Sequence, residues 1–153
     1  MHQNILTTEQ THLLSLIQKF SQEFYLVGGT ALALQYGHRR STDFDLFSQK
    51  AFDNYDIRRM INQDNKITNV RLEAVGEITL LVDSVKIMFL YFDFPVVHTI
   101  ELDKVITMPD DLTIGAMKAY AMGRRSKWKD YADLYIAVIY YIQNENYPRH
   151  TYF

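Results

Sequence analysis

Residues 24–47 read FYLVGGTALALQYGHRRSTDFDLF and predict three elements in succession. A short apolar run over residues 24–27 is closed by two glycines, and good helix formers follow over residues 30–36. After a polar, basic loop, charged and large apolar residues alternate over residues 43–47. A period of two is typical of a strand with one buried face. The stretch therefore predicts a strand, a glycine turn into a helix, and a second strand.

The two glycines make the N-terminus of this helix a suitable binding site for an anion. A helix N-terminus reached through Gly28 and Gly29 exposes backbone N–H groups, because no side chain blocks the approach and the helix dipole favours negative charge there. The alternative is a tight turn that only needs positive φ, and a phosphate site would need the same turn. The spacing predicts a phosphate-binding turn and leaves the purely structural turn open.

The second strand carries two carboxylates. Asp43 and Asp45 are two positions apart, so on a strand they point to one face while Phe44 points to the other, into the core. Carboxylates combined with phosphate oxygens are the ligands that Mg²⁺ prefers. The alternative is an edge strand with a solvated face. The neighbouring phosphate turn favours the metal, so the stretch predicts a divalent cation beside the phosphates of a nucleotide.

A basic loop connects the helix to the second strand. His38, Arg39 and Arg40 are either ordinary loop charges or a phosphate-binding group. The planar fork of an arginine suits phosphate recognition better than generic solvation. We expect one of the two arginines to contact phosphate.

The rest of the chain predicts further helices and an antiparallel group of strands. Apolar spacing and end signals predict helices over residues 8–21, 52–61, 109–122 and 126–142. A threonine caps the first of these helices, Gly123 ends the third and Ser126 caps the fourth. The β-rich stretches are residues 67–75, 78–82 and 85–94. Asp83 and Ser84 form the turn between the last two. This order predicts an α+β fold with a mixed central sheet flanked by helices.

Length and composition restrict the classes of protein that remain. The chain has 153 residues, which favours a single domain over residues 1–153. It has no cysteine, so a disulfide framework, a thiol nucleophile and a Cys-ligated zinc site are excluded. No apolar run approaches the ~20 residues of a membrane span, and the first residues lack the pattern of a signal peptide. The sequence predicts a soluble, cytoplasmic protein without a membrane partner.

The stretch quoted above resembles the signature of the DNA polymerase β-type nucleotidyltransferase superfamily, in which Gly-Gly or Gly-Ser, a helical spacer and Asp-x-Asp follow one another. Within that superfamily, GGTALALQYGHRRSTDFDLF is similar to the AbiEii/AbiGii family, the nucleotidyltransferase-like toxins of bacterial abortive-infection systems. Residues 118–135, KAYAMGRRSKWKDYADLY, resemble the later lysine, arginine and Lys-Asp-x-x-Asp block of that family. The two blocks occur in the family's order and at compatible spacing.

This resemblance implies a small polymerase β-like nucleotidyltransferase fold and a set of site residues. Asp43 and Asp45 would bind Mg²⁺ or Mn²⁺. Contacts to the nucleoside triphosphate would come from Gly28, Gly29 and Thr30, beside the contact expected above from Arg39 or Arg40. Lys118 and Asp130 would support catalysis, with a structural ion-pair network as the competing interpretation.

The family pattern also implies a third carboxylate that this chain lacks. Relatives tend to read Lys-apolar-Asp on a later strand, and the matching residues here are Lys86, Ile87 and Met88. Asp83 and Asp93 are odd-numbered like Ile87, so on a regular strand they face away from the Met88 side. Because a lost ligand weakens the catalytic ion, we expect the activity to be slow or absent.

Two hypotheses follow. The leading one is a Mg²⁺-dependent nucleotidyltransferase of AbiEii type, which moves a nucleoside monophosphate from a nucleoside triphosphate to an acceptor hydroxyl. The acceptor would be an RNA 3′ end or a protein hydroxyl, and the setting a toxin–antitoxin or phage-defence system with an antitoxin as partner. The alternative is a catalytically weakened or inactive nucleotide-binding or regulatory protein of the same fold, which lacks the third carboxylate.

Overall fold

The computed structural model describes residues 1–122 and 128–143 of the chain, and its centre is a five-stranded mixed sheet. The strands are β1 (Tyr25–Val27), β2 (Asp43–Ser48), β3 (Ile67–Ala74), β4 (Glu77–Val82) and β5 (Val85–Tyr91). Their order across the sheet is β1-β2-β5-β4-β3. The β2 and β5 strands run parallel, and the other neighbours are antiparallel. The predicted α+β class with a mixed sheet is confirmed.

Six α-helices flank this sheet in the described part of the chain. They are α1 (Thr8–His12), α2 (Leu14–Lys19), α3 (Gly28–Tyr36), α4 (Asn54–Ile61), α5 (Asp111–Met122) and α6 (Trp128–Gln143). A short 3-10 helix, Gln3–Ile5, precedes them. The predicted end of the third helix at Gly123 and the predicted cap at Ser126 lie outside the described residues.

The prediction of one helix over residues 8–21 is wrong in one respect, because two short helices occupy this stretch. A threonine caps α1 as expected: the Thr7 hydroxyl accepts from the Gln10 N–H, and Gln10 Oε1 accepts from the Thr7 N–H, which completes a capping box. The break falls at Leu13, whose N–H donates to the Gln10 carbonyl three residues back. The Leu13 side chain is buried in the core, so packing fixes the position of the break.

One face of the sheet forms the core. Phe44, Leu46, Ile87 and Phe89 are fully buried there, and the first helices cover them. The Phe89 ring lies 4.8 Å from the Phe20 ring in an edge-to-face arrangement. Burial of such side chains contributes roughly 1.5–3 kcal/mol each. Because the core takes this face, the alternate residues of β2 and β5 are left for the opposite face, which is only half-buried.

A second, two-stranded sheet was not predicted. It consists of β6 (Ile100–Leu102) and β7 (Ile106–Met108), and β7 packs beside β1. Its turn places Asp103 and Lys104 at φ of +43° and +61°, a conformation that Gly and Asn favour. The sequence has neither residue type at this turn, so its pattern did not predict the hairpin. The predicted strand over residues 85–94 is also shorter than expected and ends at Tyr91.

No helix in the described part of the chain combines the length and the apolar character that crossing a bilayer requires.

The turn between β4 and β5 offers a test of the fold. Asp83 and Ser84 adopt φ of +44° and +76° and join Val82 to Val85, as the sequence predicts. Ser84→Gly should stabilise the protein by about 0.5–1 kcal/mol, because glycine adopts this conformation without steric cost. Urea denaturation gives the free energy of unfolding, and Ser15→Gly in α2 is the control, with the opposite sign expected. A destabilised Ser84→Gly protein would contradict this account of the turn.

Candidate functional site

Gly28 lets the Asp45 carboxylate of β2 lie against the N-terminus of α3. Its φ is +75°, and a Cβ at this position would overlap the Asp45 carboxylate. The β1 and β2 register places Val27 beside Asp45, so the chain turns into α3 directly against this side chain. A side chain at position 28 is therefore disfavoured twice, by the backbone conformation and by the lack of space.

The N-cap side chain of α3 does not cap the helix. Val27 is the N-cap residue, and its side chain makes no capping hydrogen bond. The N–H groups of the first turn have no partner within the helix, and the dipole makes this end positive. The Thr30 hydroxyl donates to the carbonyl of Asp43, and Thr30 is buried. Its side chain therefore ties α3 to β2, and only its N–H is left for a phosphate.

Asp43 and Asp45 lie on the half-buried face of β2, with Phe44 in the core behind them, as the sequence predicts. The parallel register sets Lys86 of β5 beside Asp43 and Met88 beside Asp45. The Lys86 ammonium forms an ion pair with the Asp43 carboxylate, and both side chains are partly exposed. The position where relatives are expected to carry a third carboxylate thus lies on the same face as the two aspartates and holds a thioether.

The other two acids considered from the sequence lie in different places. Asp83 is in the β4–β5 turn, where it accepts a hydrogen bond from Asn65. Asp93 lies beyond the end of β5 and lines the same cleft as Asp45 and Met88. The expectation that Asp93 faces away is wrong, because β5 ends at Tyr91 and strand alternation no longer applies.

A cleft of about 600 Å³ opens in front of this face, between the sheet and α5. Four aromatic rings in series form much of its wall: Phe47, Phe92, Phe94 and Tyr120. Their successive centroid distances are 5.4, 5.1 and 6.0 Å. The sequence does not reveal this wall, since aromatic residues in strand and helix patterns are usually part of the core.

A buried carboxylate connects the basic loop to the last helix. Asp133 on α6 is fully buried and accepts two hydrogen bonds from the Arg39 guanidinium, at 2.8 Å from Nε and 2.7 Å from Nη2. His38 Nε2 lies 3.1 Å from the same carboxylate, and Lys118 Nζ lies 2.8 Å from it. Burial alone raises the pKa of Asp133, but these hydrogen bonds and the Lys118 charge outweigh it and hold the pKa well below its ordinary value.

Arg39 is therefore held by protein groups. Its third nitrogen, Nη1, donates to the Arg40 carbonyl, and the hydrogen bonds to Asp133 raise the pKa of the guanidinium. The guanidinium passes over Gly29, where a Cβ would overlap Nη2. The absence of a side chain at Gly29 makes room for this ion pair. The Arg40 side chain is exposed.

Lys118 of α5 and Asp130 of α6 line the same cleft as Asp45. Lys118 Nζ lies 2.9 Å from Asp130 Oδ1, and both residues line the cleft with Asp45. The Asp130 side chain is 8% exposed, and its Oδ2 has no hydrogen-bond partner among the described residues. An ion-pair network is thus present, and its cations come from α5 and the basic loop, through Lys118 and Arg39.

The donor set fits one divalent ion better than a complete protein cage. Two carboxylates on one face, next to a helix terminus suited to phosphate, match the mixed carboxylate and phosphate coordination of Mg²⁺. The described residues contain no group of three or more His, Asp or Glu side chains that could ligate a single ion. Asp43 and Asp45 are the residues that would hold it.

Comparison with known proteins agrees with this geometry. An uncharacterized protein of Aquifex aeolicus is 38% identical over 119 residues, which cover 74% of this chain and 56% of that protein. The chain thus spans little more than half the length of that curated relative. The model of a family described as nucleotidyl transferase AbiEii toxin, type IV toxin–antitoxin system, matches residues 13–107.

The matched segment contains the strand, glycine turn, helix and Asp-x-Asp strand, and it ends before Lys118 and Asp130. It covers more than half of the 153 residues. The fold, the geometry of Gly28 with Asp45 and the extent of this match lead to one conclusion: the chain belongs to the AbiEii nucleotidyltransferase toxin family.

Proposed function

We propose that this protein is a Mg²⁺-dependent nucleotidyltransferase that moves a nucleoside monophosphate from a nucleoside triphosphate to an acceptor hydroxyl. The observation that carries the proposal is the contact between Gly28 and Asp45, which joins the uncapped N-terminus of α3 to the carboxylates of β2. An anion-binding terminus beside two carboxylates on a strand serves a metal-bound phosphate and has no evident purpose in a scaffold.

Each part of the cleft has a defined task in this proposal. Asp43 and Asp45 would hold the divalent ion, which neutralises phosphate charge when bound. The N–H groups at Gly28 and Gly29 bind phosphate oxygens, and the aromatic wall receives the nucleoside. Lys118 neutralises charge on the leaving group.

The transfer step uses groups on both sides of the cleft. The acceptor oxygen forms a bond to the α-phosphorus as the bond from that phosphorus to the bridging oxygen breaks, and pyrophosphate leaves. The acceptor proton goes to Asp130 Oδ2, the buried oxygen without a hydrogen-bond partner in the described part of the chain. Positioning and electrostatics supply most of the acceleration in such a reaction.

Arg39 and Asp133 have a positioning role in this proposal. Because three N–H groups of Arg39 donate to Asp133 and the Arg40 carbonyl, Arg39 would fix the loop that leads into β2 and direct Lys118 through the shared carboxylate. An RNA 3′ end or a protein hydroxyl is the proposed acceptor, and an antitoxin the proposed partner in a toxin–antitoxin system.

A second candidate function rests on Met88. A thioether beside Asp45 supplies no oxygen ligand, so a nucleotide-binding protein with little or no transferase activity is the alternative. Incubation with labelled nucleoside triphosphates, Mg²⁺ and candidate RNA and protein acceptors separates the two, because only the transferase labels an acceptor.

The first prediction concerns the two aspartates. Nucleotide binding should require a divalent ion and should disappear when Asp43→Asn and Asp45→Asn are combined, because the phosphate charge is then no longer neutralised. Thermal denaturation with a nucleoside triphosphate, with and without Mg²⁺, measures this, and about 2.7 kcal/mol of stabilisation corresponds to ligand at 100 times Kd. Asp83→Asn in the turn is the control and should retain binding. Equal stabilisation with and without Mg²⁺, in wild type and double variant alike, would refute the proposal.

The second prediction concerns Gly29. Gly29→Val should abolish nucleotide binding, because its side chain displaces the Arg39 guanidinium that lies over the helix terminus. Gly29→Ala should destabilise the protein by about 1–3 kcal/mol, since Asp133 then loses hydrogen bonds while buried. In an Arg39→Ala background the same change should cost much less. Additive effects in this double-mutant cycle, measured by denaturation, would show that Gly29 does not act through Arg39.

The third prediction concerns Met88. Met88→Asp should tighten Mg²⁺ binding and raise any transferase activity, because it adds an oxygen ligand next to Asp45. Without metal the added charge repels Asp43 and Asp45, so the free energy of unfolding should fall. Calorimetric titration with Mg²⁺ tests the first effect, and Met88→Leu is the control with unchanged affinity expected. A Met88→Asp protein with the affinity of wild type would rule out this account of position 88.

A further inference from the structure

The last helix, α6, has its carboxylates on the buried face and apolar side chains on the exposed face. Asp130 and Asp133 are both buried. On the opposite face, apolar and aromatic side chains recur at intervals of three, four and three residues. These are Trp128, Tyr131, Tyr135 and Val138. They are 71%, 55%, 64% and 46% exposed, respectively, and together they form the outer stripe of α6.

This arrangement is the reverse of what a soluble helix usually shows. The exposed face of such a helix is polar, because apolar side chains gain free energy when they leave water. Of the three charged residues of α6, only Lys129 is exposed. Intervals of three and four residues place side chains along one seam, which is the arrangement with which two helices pack against each other. The outer stripe therefore fits another helix.

The sizes of the side chains favour a second copy of the same helix. Trp128 at the start of the stripe is its largest side chain, and Val138 at the end is its smallest. In an antiparallel pair about a twofold axis, the tryptophan end of each stripe meets the valine end of the other, and the tyrosines meet in the middle. The stripe has no charged residue that would recognise nucleic acid phosphates or acidic lipids.

We propose that α6 is a self-association surface, through which two copies of this chain pair antiparallel along their outer stripes. At about 200 Å² per aromatic side chain, the exposed parts of the three rings amount to roughly 400 Å². Each partner of a standard interface buries about 800 Å², so the rings alone supply near half of that area. The inference is independent of the proposed function, because no residue of the outer stripe lines the cleft.

Sedimentation equilibrium of the full chain, at about 1–100 µM, measures the association. The wild type should reach twice the mass of one chain. Tyr131→Glu combined with Tyr135→Glu should reduce this to the mass of one chain, because like charges would then meet in a desolvated seam. Tyr55→Glu on α4, a helical tyrosine of similar exposure, is the matched control and should leave the dimer intact. Trp128→Gln combined with Tyr135→Gln should act like the glutamate variant and replaces it if circular dichroism shows that the latter does not fold.

Cysteine cross-linking tests the direction of the pair, since the chain has no cysteine of its own. A mixture of Trp128→Cys and Val138→Cys chains should form a disulfide-linked dimer under mild oxidation. Either variant alone should not, because positions 128 and 138 lie about 15 Å apart along one helix and only unlike positions meet across the pair.

Several outcomes would overturn the inference, and all of them leave the proposed function standing. They are a wild type with the mass of one chain throughout the range, a glutamate variant that dimerises like the wild type, and a link between two Trp128→Cys chains. Binding of a monomeric wild type to anionic vesicles or to RNA, lost in the same variants, would assign the stripe to another partner and overturn it as well.

Discussion

The site depends on the pairing of one buried carboxylate. Asp133 has no exposure to solvent, and a buried carboxylate without partners costs several kcal/mol. Its partners come from the loop after α3 and from α5, so this pairing joins α6 to both of them. The same constraint therefore fixes the basic loop, the α5–α6 pair and the direction of the lysine that lines the cleft.

Both glycines of the turn make room for charged groups, at two different places. Gly28 leaves space for the Asp45 carboxylate, and Gly29 leaves space for the Arg39 guanidinium. Only Gly28 also needs its positive φ. The N-terminus of α3 is thus bordered by an anion on one side and a cation on the other, which defines the direction from which a phosphate can reach its N–H groups.

The sequence predicted the parts of the fold that local chemistry determines. The alternation over residues 43–47, the Asp83–Ser84 turn and the Thr7 cap are specified by neighbouring residues, and all three are confirmed. The β6–β7 hairpin was missed because Asp103 and Lys104 adopt a conformation that their residue types rarely favour. Arg39 and Asp133 are 94 positions apart in the chain. No local pattern can pair them, so the sequence did not indicate that Asp133 is a partner of Arg39, and the phosphate contact expected from Arg39 or Arg40 stays a prediction.

The position of Met88 separates the demands of the fold from those of the cleft. The fold is stabilised by the opposite face of β5, where Ile87 and Phe89 are buried, while Met88 faces the cleft and contributes to a largely apolar wall. Exchanging a carboxylate for a thioether at such a position removes a ligand and a charge without opening a cavity in the core. The core face therefore constrains the fold, and the cleft face is free to change its chemistry one side chain at a time. For this reason a match to the family establishes the architecture of the site more firmly than the reaction performed there.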